Sequence, residues 1–172
     1  SRLDNQDALY EKSTFYIDEQ IRKCLLMFQT EIDKKQINLS LDGDEVSYYG
    51  SPDLTQQLWI NIIGNAVKFT GTNGTISIQI NKSDEFTEVK ISDTGIGMSE
   101  ETKSRIFDKF YQGDTSHTTY GNGLGLSICR KIIEILHGSI EVESELGKGS
   151  EFLIKLPEER PAEKDVKHKP HP

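Results

Sequence analysis

The chain has 172 residues, with 28 acidic against 20 basic side chains and a formal net charge of −8. That length suits one domain burying roughly 70% of its unfolded surface. The acidic balance argues against a general nucleic-acid binder, which needs a basic face, and it obliges any anionic ligand to rely on local positive charge.

Residues 1–13 are polar and are expected to be a trailing segment, the end of a helix entering from an upstream region. No apolar run approaches the ~20 residues of a membrane span. Ser1-Arg2-Leu3-Asp4 shows no secretory leader. Thr14-Phe15-Tyr16-Ile17 reads as a short strand. Asp18 is expected to cap a helix whose apolar face is Ile17, Ile21, Leu25, Phe28 and Ile32, ended by Lys34-Lys35. Ile37, Leu39 and Leu41 alternate as a strand, and Val46 to Tyr49 forms another after the Asp42-Gly43-Asp44 turn.

A longer helix follows, from Asp53 to about Phe69, with Leu54, Leu58, Ile62 and Ile63 at helical spacing. Asn61 and Asn65 share one of its faces, with Lys68 three residues further on. Buried amides without partners cost roughly 1–3 kcal/mol each. Two readings stand: a polar helix end closed by Gly71 to Gly74, or a site where an Asn carbonyl meets Mg²⁺ and Lys68 meets the anion it bridges.

Ile76, Ile78 and Ile80 alternate, and Val89, Ile91 and Asp93 alternate after a hairpin at Asn81 to Asp84. Asp93 therefore occupies a core-facing register. A carboxylate there is costly unless hydrogen-bonded, so it is either a strand end reaching solvent or an acceptor for an exocyclic amino group such as adenine N6. Gly95 and Gly97 let backbone approach a flat ring. Ser99 to Thr102 begins a short helix, and Ile106 to Tyr111 is an aromatic anchor. Gln112 to Tyr120 is polar and lacks aliphatics. Gly121-Asn122-Gly123-Leu124-Gly125 opens a helix bearing Leu126, Ile128, Ile132, Ile133, Ile135 and Leu136, closed by His137-Gly138. Free N–H groups and the helix dipole make that start a phosphate cradle, or else it is a flexible loop. Ile140/Val142 and Phe152/Ile154/Leu156 form two last strands around a Gly147-Lys148-Gly149 turn. Residues 158–172 are a charged, Pro-containing tail expected to be disordered.

Cys24 and Cys129 lack metal or redox spacing and read as buried thiols of a reducing compartment. His117, His137, His168 and His171 lack metal-ligand spacing and read as solvated. Strands and helices mix without a regular strand–helix–strand rhythm. The expectation is α+β: a largely antiparallel sheet with helices on one face.

Four motifs stand in one order: Asn61-x3-Asn65-Ala66-x-Lys68-Phe69, Asp93-x-Gly95-x-Gly97, Phe107-x-x-Phe110 and Gly121-x-Gly123-x-Gly125, with Gly147-x-Gly149 beyond. Each is short, but the ordered set resembles the N, G1, F, G2 and G3 boxes of sensor histidine kinase catalytic domains. These have the Bergerat fold of gyrase, Hsp90, histidine kinase and MutL. The resemblance covers residues 14–157. It implies a two-layer sandwich, with a mixed, mostly antiparallel sheet of about five strands covered by three helices. It implies ATP and Mg²⁺ as cofactors. Asn65 would supply an oxygen to Mg²⁺, Asn61 would lie near the phosphates, and Lys68 would touch phosphate. Phe69 would lie by the nucleotide, Asp93 would bind adenine N6, and Gly95 and Gly97 would shape the adenine pocket. Phe107 and Phe110 would anchor a lid over residues 112–122. Gly121, Gly123, Leu124 and Gly125 would meet the phosphates.

In the ATPase branches, the position corresponding to Asn61 resembles a Glu general base. Asn cannot take a proton from water, so slow hydrolysis is expected. The family's acceptor is a histidine on a separate dimerisation domain, and a response regulator follows. The resemblance thus implies a homodimeric parent, a monomeric isolated domain, a cytoplasmic location, and a parent that membranes can anchor. One departure stands out. Residues 112–128 hold no Lys or Arg, leaving Lys109 and His117 as local substitutes for a lid arginine. A nucleotide-binding interaction module without phosphotransfer is therefore the alternative.

Overall fold

The computed structural model describes residues 10–109 and 125–158. The trailing segment before residue 10, the tail after residue 158 and the stretch carrying Phe110, His117, Gly121, Gly123 and Leu124 lie outside the described residues.

Strand β1 (Ser13–Tyr16) pairs antiparallel with β3 (Ser47–Gly50), and Phe15 meets Tyr48 edge to face at 5.7 Å. β1 runs directly into helix α1 (Ile17–Met27). Asp18 is not its cap. Tyr16 holds that position with an extended backbone, and the Ile17 N–H donates to the Val46 carbonyl at 2.9 Å, so the adjacent strand satisfies a helix-start donor. Asp18 sits in the first turn, 1% exposed. It accepts the Val46 N–H at 2.8 Å and pairs with Arg22 one turn on. The expected single helix also divides. Phe28 leaves helical geometry, and α2 (Gln29–Lys34) follows. The break seats the Phe28 ring over Gly64 of the central helix.

That central helix, α3 (Pro52–Phe69), starts where Ser51 accepts the Leu54 N–H at 3.2 Å and Pro52 takes a position that needs no donor. It buries Leu54, Leu58, Trp59, Ile62, Ile63, Ala66 and Val67. Gln20 of α1 accepts from Trp59 Nε1 at 2.9 Å and Thr55 Oγ1 at 2.8 Å, joining the two helices.

The main sheet has the order β2-β4-β5-β7-β6, from β2 (Asn38–Asp42), β4 (Thr75–Lys82), β5 (Phe86–Asp93), β6 (Ser139–Glu145) and β7 (Gly149–Pro157). Only β2–β4 is parallel. Ile78 faces Ile91, which faces Phe152, and Ile80 faces Val89, which faces Ile154, so one sheet face is a continuous apolar surface. Helices α1, α3 and α5 (Gly125–Ile135) cover it, with α3 touching both neighbours; α4 (Glu100–Arg105) is short and capped by Ser99. The expected mixed, mostly antiparallel five-stranded sandwich is present, with β1 and β3 set apart as a separate ribbon.

Two turn details differ from expectation. Asn81 and Lys82 continue β4, so the hairpin turn is Ser83 to Glu85. After α5, His137 takes the left-handed conformation (φ 58°) while Gly138 lies tight against the Lys155 carbonyl.

Candidate nucleotide site

A cleft open to solvent lies between the two layers. Asn65 and Phe69 of α3 line it, with Asp93 at the end of β5, Ile96, Gly97 and Met98 just after it, Leu126 of α5, and Ser150 and Phe152 of β7. Four of the residues singled out in the sequence, Asn65, Phe69, Asp93 and Gly97, thus meet in one place.

Asp93 pairs with Ile76 on one side and Ser150 on the other, continuing the core-facing series of Val89 and Ile91. Its Oδ1 accepts the Gly95 N–H at 2.8 Å and the Ser150 N–H at 3.3 Å. Among the described residues no bond reaches Oδ2. Burial raises the pKa of Asp93, and the two N–H bonds work against that rise. The carboxylate is therefore held in place through one oxygen, and the other has no hydrogen-bond partner among the described residues.

Gly95 is required by a close approach: a methyl group there would press on the Phe69 carbonyl at the end of α3. Gly97 has φ +69°, and a methyl group would overlap the Glu145 carbonyl of the β6–β7 hairpin. The segment after Asp93 is thus squeezed between α3 and that hairpin.

The two asparagines part company. Asn65 lines the cleft, and no hydrogen bond to its side chain is found among the described residues. Asn61 is engaged: its Nδ2 donates to the Gly125 carbonyl at 3.1 Å and its Oδ1 accepts from Gln57 at 2.9 Å. Asn61 therefore ties α3 to the first residue of α5. Lys68 is exposed, with Nζ 6.0 Å from the centroid of the Phe69 ring; desolvation lowers its pKa. Lys68 and Lys109 do not line the cleft, and Lys109 is exposed. Gly125 begins α5 as expected. Phe107 packs against the core with the Arg130 guanidinium 5.4 Å from its ring centroid.

A Mg²⁺ ion would find one amide oxygen here, at Asn65. That fits an ion which keeps most of its ligands as phosphate oxygens and water. No cluster of three or more His, Cys, Asp or Glu residues able to hold a metal occurs among the described residues. The thiols of Cys24 and Cys129 are both buried and pushed up to about 12 by that burial, so neither is a nucleophile.

Sequence reasoning missed three contributors. Ser150 supplies an N–H to Asp93. Ser144 of β6 bonds to the loop beyond Asp93. Lys35 donates to the Val67, Lys68 and Thr70 carbonyls at 2.8, 3.0 and 3.0 Å, closing the end of α3 that carries Phe69. The Lys34-Lys35 pair is plain in the sequence, but position alone points it at the end of its own helix and not at α3.

The profile of histidine kinase-, DNA gyrase B-, and HSP90-like ATPases matches residues 50–160. The heme sensor protein HssS of Staphylococcus saprophyticus is 34% identical over 154 residues, which is 90% of this chain. The chain spans 33% of that relative's length, 27% of the sensor protein SrrB of Staphylococcus aureus and 17% of the sensor histidine kinase RcsC of Escherichia coli. The catalytic domain of histidine kinase ThkA superposes with a TM-score of 0.75 at 31% identity, covering 86% of this chain and 98% of that one. ThkA crystallised with response regulator protein TrrA gives 0.71 at 30% identity, covering 86% of this chain and 42% of that one. No helix of the described residues is long and apolar enough to cross a membrane. With its matching profile, its near-complete match to the ThkA domain and its interlayer cleft, the chain belongs to the histidine kinase-, DNA gyrase B-, and HSP90-like ATPase family, as a histidine kinase catalytic domain.

Proposed function

We propose that this chain binds Mg·ATP in the interlayer cleft and passes the γ-phosphoryl group to a histidine of a dimerisation domain outside residues 1–172, for onward transfer to a response regulator. The observation that carries the reading is Asp93, which lines the cleft with Oδ1 fixed by two backbone N–H groups and Oδ2 without a hydrogen-bond partner among the described residues. That oxygen suits the amino group of adenine. Asn65 would meet the Mg²⁺ that bridges the phosphates, and Lys68 would add positive charge at the end of α3. Gly121, Gly123, Leu124 and Gly125 would receive the triphosphate at the start of α5. Phosphoryl transfer of this kind needs positioning and charge neutralisation more than covalent help from the protein. The ThkA–TrrA complex supports a response regulator as the downstream partner. The parent would be a homodimeric sensor with this domain in the cytoplasm.

A second reading, nucleotide binding without transfer, draws on the absence of Lys and Arg from residues 112–128 and the exposed position of Lys109 outside the cleft. Hydrolysis as the main activity is disfavoured, because Asn61 has no basicity and is occupied by Gly125.

The test has two arms. Asp93→Asn should weaken ATP binding by about a hundredfold in calorimetric titration, the loss of a charge-assisted bond. Unchanged affinity would remove Asp93 from the site. Radiolabel from [γ-³²P]ATP should appear on an added cognate dimerisation domain. Tight binding with no label transferred would favour the second reading.

A further inference from the structure

The β6–β7 hairpin lies against the segment that follows Asp93 and grips it at several points. The Gly147 N–H donates to the Ile96 carbonyl at 2.7 Å. The Glu145 carbonyl leaves no room for a side chain at Gly97. The Ser150 N–H reaches Asp93 Oδ1. At the centre of these contacts is the Ser144 hydroxyl. It accepts the Met98 N–H at 2.8 Å, lies 3.0 Å from the Gly149 carbonyl as donor, and stands 2.8 Å from Ser150 Oγ. A serine oxygen has one proton to give and two lone pairs to receive with, and these three partners use all of them.

Met98 and Gly97 line the cleft, and Ser150 both lines it and holds Asp93. Ser144 does not line it. It joins the Met98 backbone to the Gly149–Ser150 start of β7. Met98 is 8% exposed, and without the Ser144 oxygen its N–H loses the partner it has among the described residues, and with it the connection through that hydroxyl to the Gly149 carbonyl. The close backbone approaches at Gly97 and Gly149 leave little slack here, so a change in the hydroxyl's bonds is passed directly to the cleft wall.

We infer that Ser144 is a positioning residue for adenine recognition: its hydroxyl fixes the spacing between the Met98 wall and the Asp93–Ser150 pair. The inference rests on the assignment of adenine to Asp93. It predicts an effect confined to the base end of the nucleotide, since the phosphates would meet other residues.

The test uses an isosteric pair. Ser144→Thr keeps the hydroxyl, and Ser144→Val has the same shape without it. Both side chains suit a strand, so folding should tolerate each. ADP and ATP affinities are measured by calorimetry, the thermal midpoint by scanning calorimetry, and the Met98 amide by hydrogen exchange. Ser144→Val should bind ADP and ATP about tenfold more weakly, with faster Met98 exchange and an unchanged ratio between the two ligands, while Ser144→Thr stays near the unsubstituted chain. Equal affinities in the Val and Thr variants, beside a clear loss in Asp93→Asn, would overturn the inference and leave the adenine site standing. Failure of the unsubstituted chain to bind either nucleotide would overturn both.

Discussion

Burial raises the pKa of Asp93, so acid reaches this carboxylate earlier than an ordinary one. Asp18 is the opposite case. Burial pushes its pKa up, but backbone N–H bonds from Val46 and its own turn, with Arg22 beside it, outweigh that and hold it below the usual carboxylate range. The two signs separate function from stability. Asp18, lowered in the fold, contributes stability that is present above its unfolded pKa and lost as pH falls through its folded pKa. Asp93, raised in the fold, favours the folded state below its unfolded pKa, an advantage lost as pH rises through its folded pKa. Acidification therefore protonates Asp93 first, which removes an acceptor from the cleft without weakening the fold. Adenosine, which carries no titrating phosphate, should lose affinity at a pH where circular dichroism is still native; unfolding should follow at lower pH as Asp18 is protonated. If dichroism is lost first, the assignment of opposite shifts is wrong. Asp93 was legible in the sequence because it broke an apolar alternation. Ser144 and Ser150 were not, because a serine on a half-exposed strand breaks no pattern.

Helix α3 carries Asn65 and Phe69, and its two ends are secured differently. Ser51 and Pro52 start it with local sequence signals. Its end depends on Lys35, whose ammonium lies on three carbonyls some thirty-odd residues away in the chain, where the helix dipole also favours a cation. Replacing it by an apolar chain of similar length leaves those carbonyls without their cation. Lys35→Met should cost about 2 kcal/mol, seen as a lower urea midpoint at unchanged slope. A change within about 0.5 kcal/mol would place Lys35 among ordinary surface lysines. The start of α3 is written in adjacent residues, and its periodicity is plain over five turns. Its end, like the break at Phe28, is set by partners that no local window contains. The apolar stripe from Ile17 to Ile32 continues across that break, so periodicity alone joins α1 to α2. The pairing of β1 with β3 was hidden for the same reason: Ser13 meets Gly50 only once the chain has folded.

The cleft belongs to neither layer alone. Asp93, Ser150 and Phe152 come from the sheet, and Asn65, Phe69 and Leu126 from the helices, so the site exists only when the two layers are packed. The order of motifs along the chain pointed to this assembly, although no single motif contains it. A ligand bound there is linked to folding of the whole sandwich, because the unfolded chain offers no such site. At a hundred times its dissociation constant, a nucleotide should stabilise the domain by about 2.7 kcal/mol. For a chain of 172 residues that corresponds to roughly 5–10 °C in thermal midpoint. The base decides which nucleotide does this. On the proposed assignment adenine would present an amino group to Asp93; guanine would present a carbonyl oxygen at the same ring position, facing a carboxylate without a proton between them. GTP at equal concentration should therefore shift the midpoint by much less than ATP. Inorganic triphosphate, which lacks the base, should also fall short. Equal shifts from ATP and GTP would mean that the triphosphate alone drives binding and that Asp93 does not read the purine. No shift with either would mean that the folded domain binds neither nucleotide, and the cleft would lose its assignment.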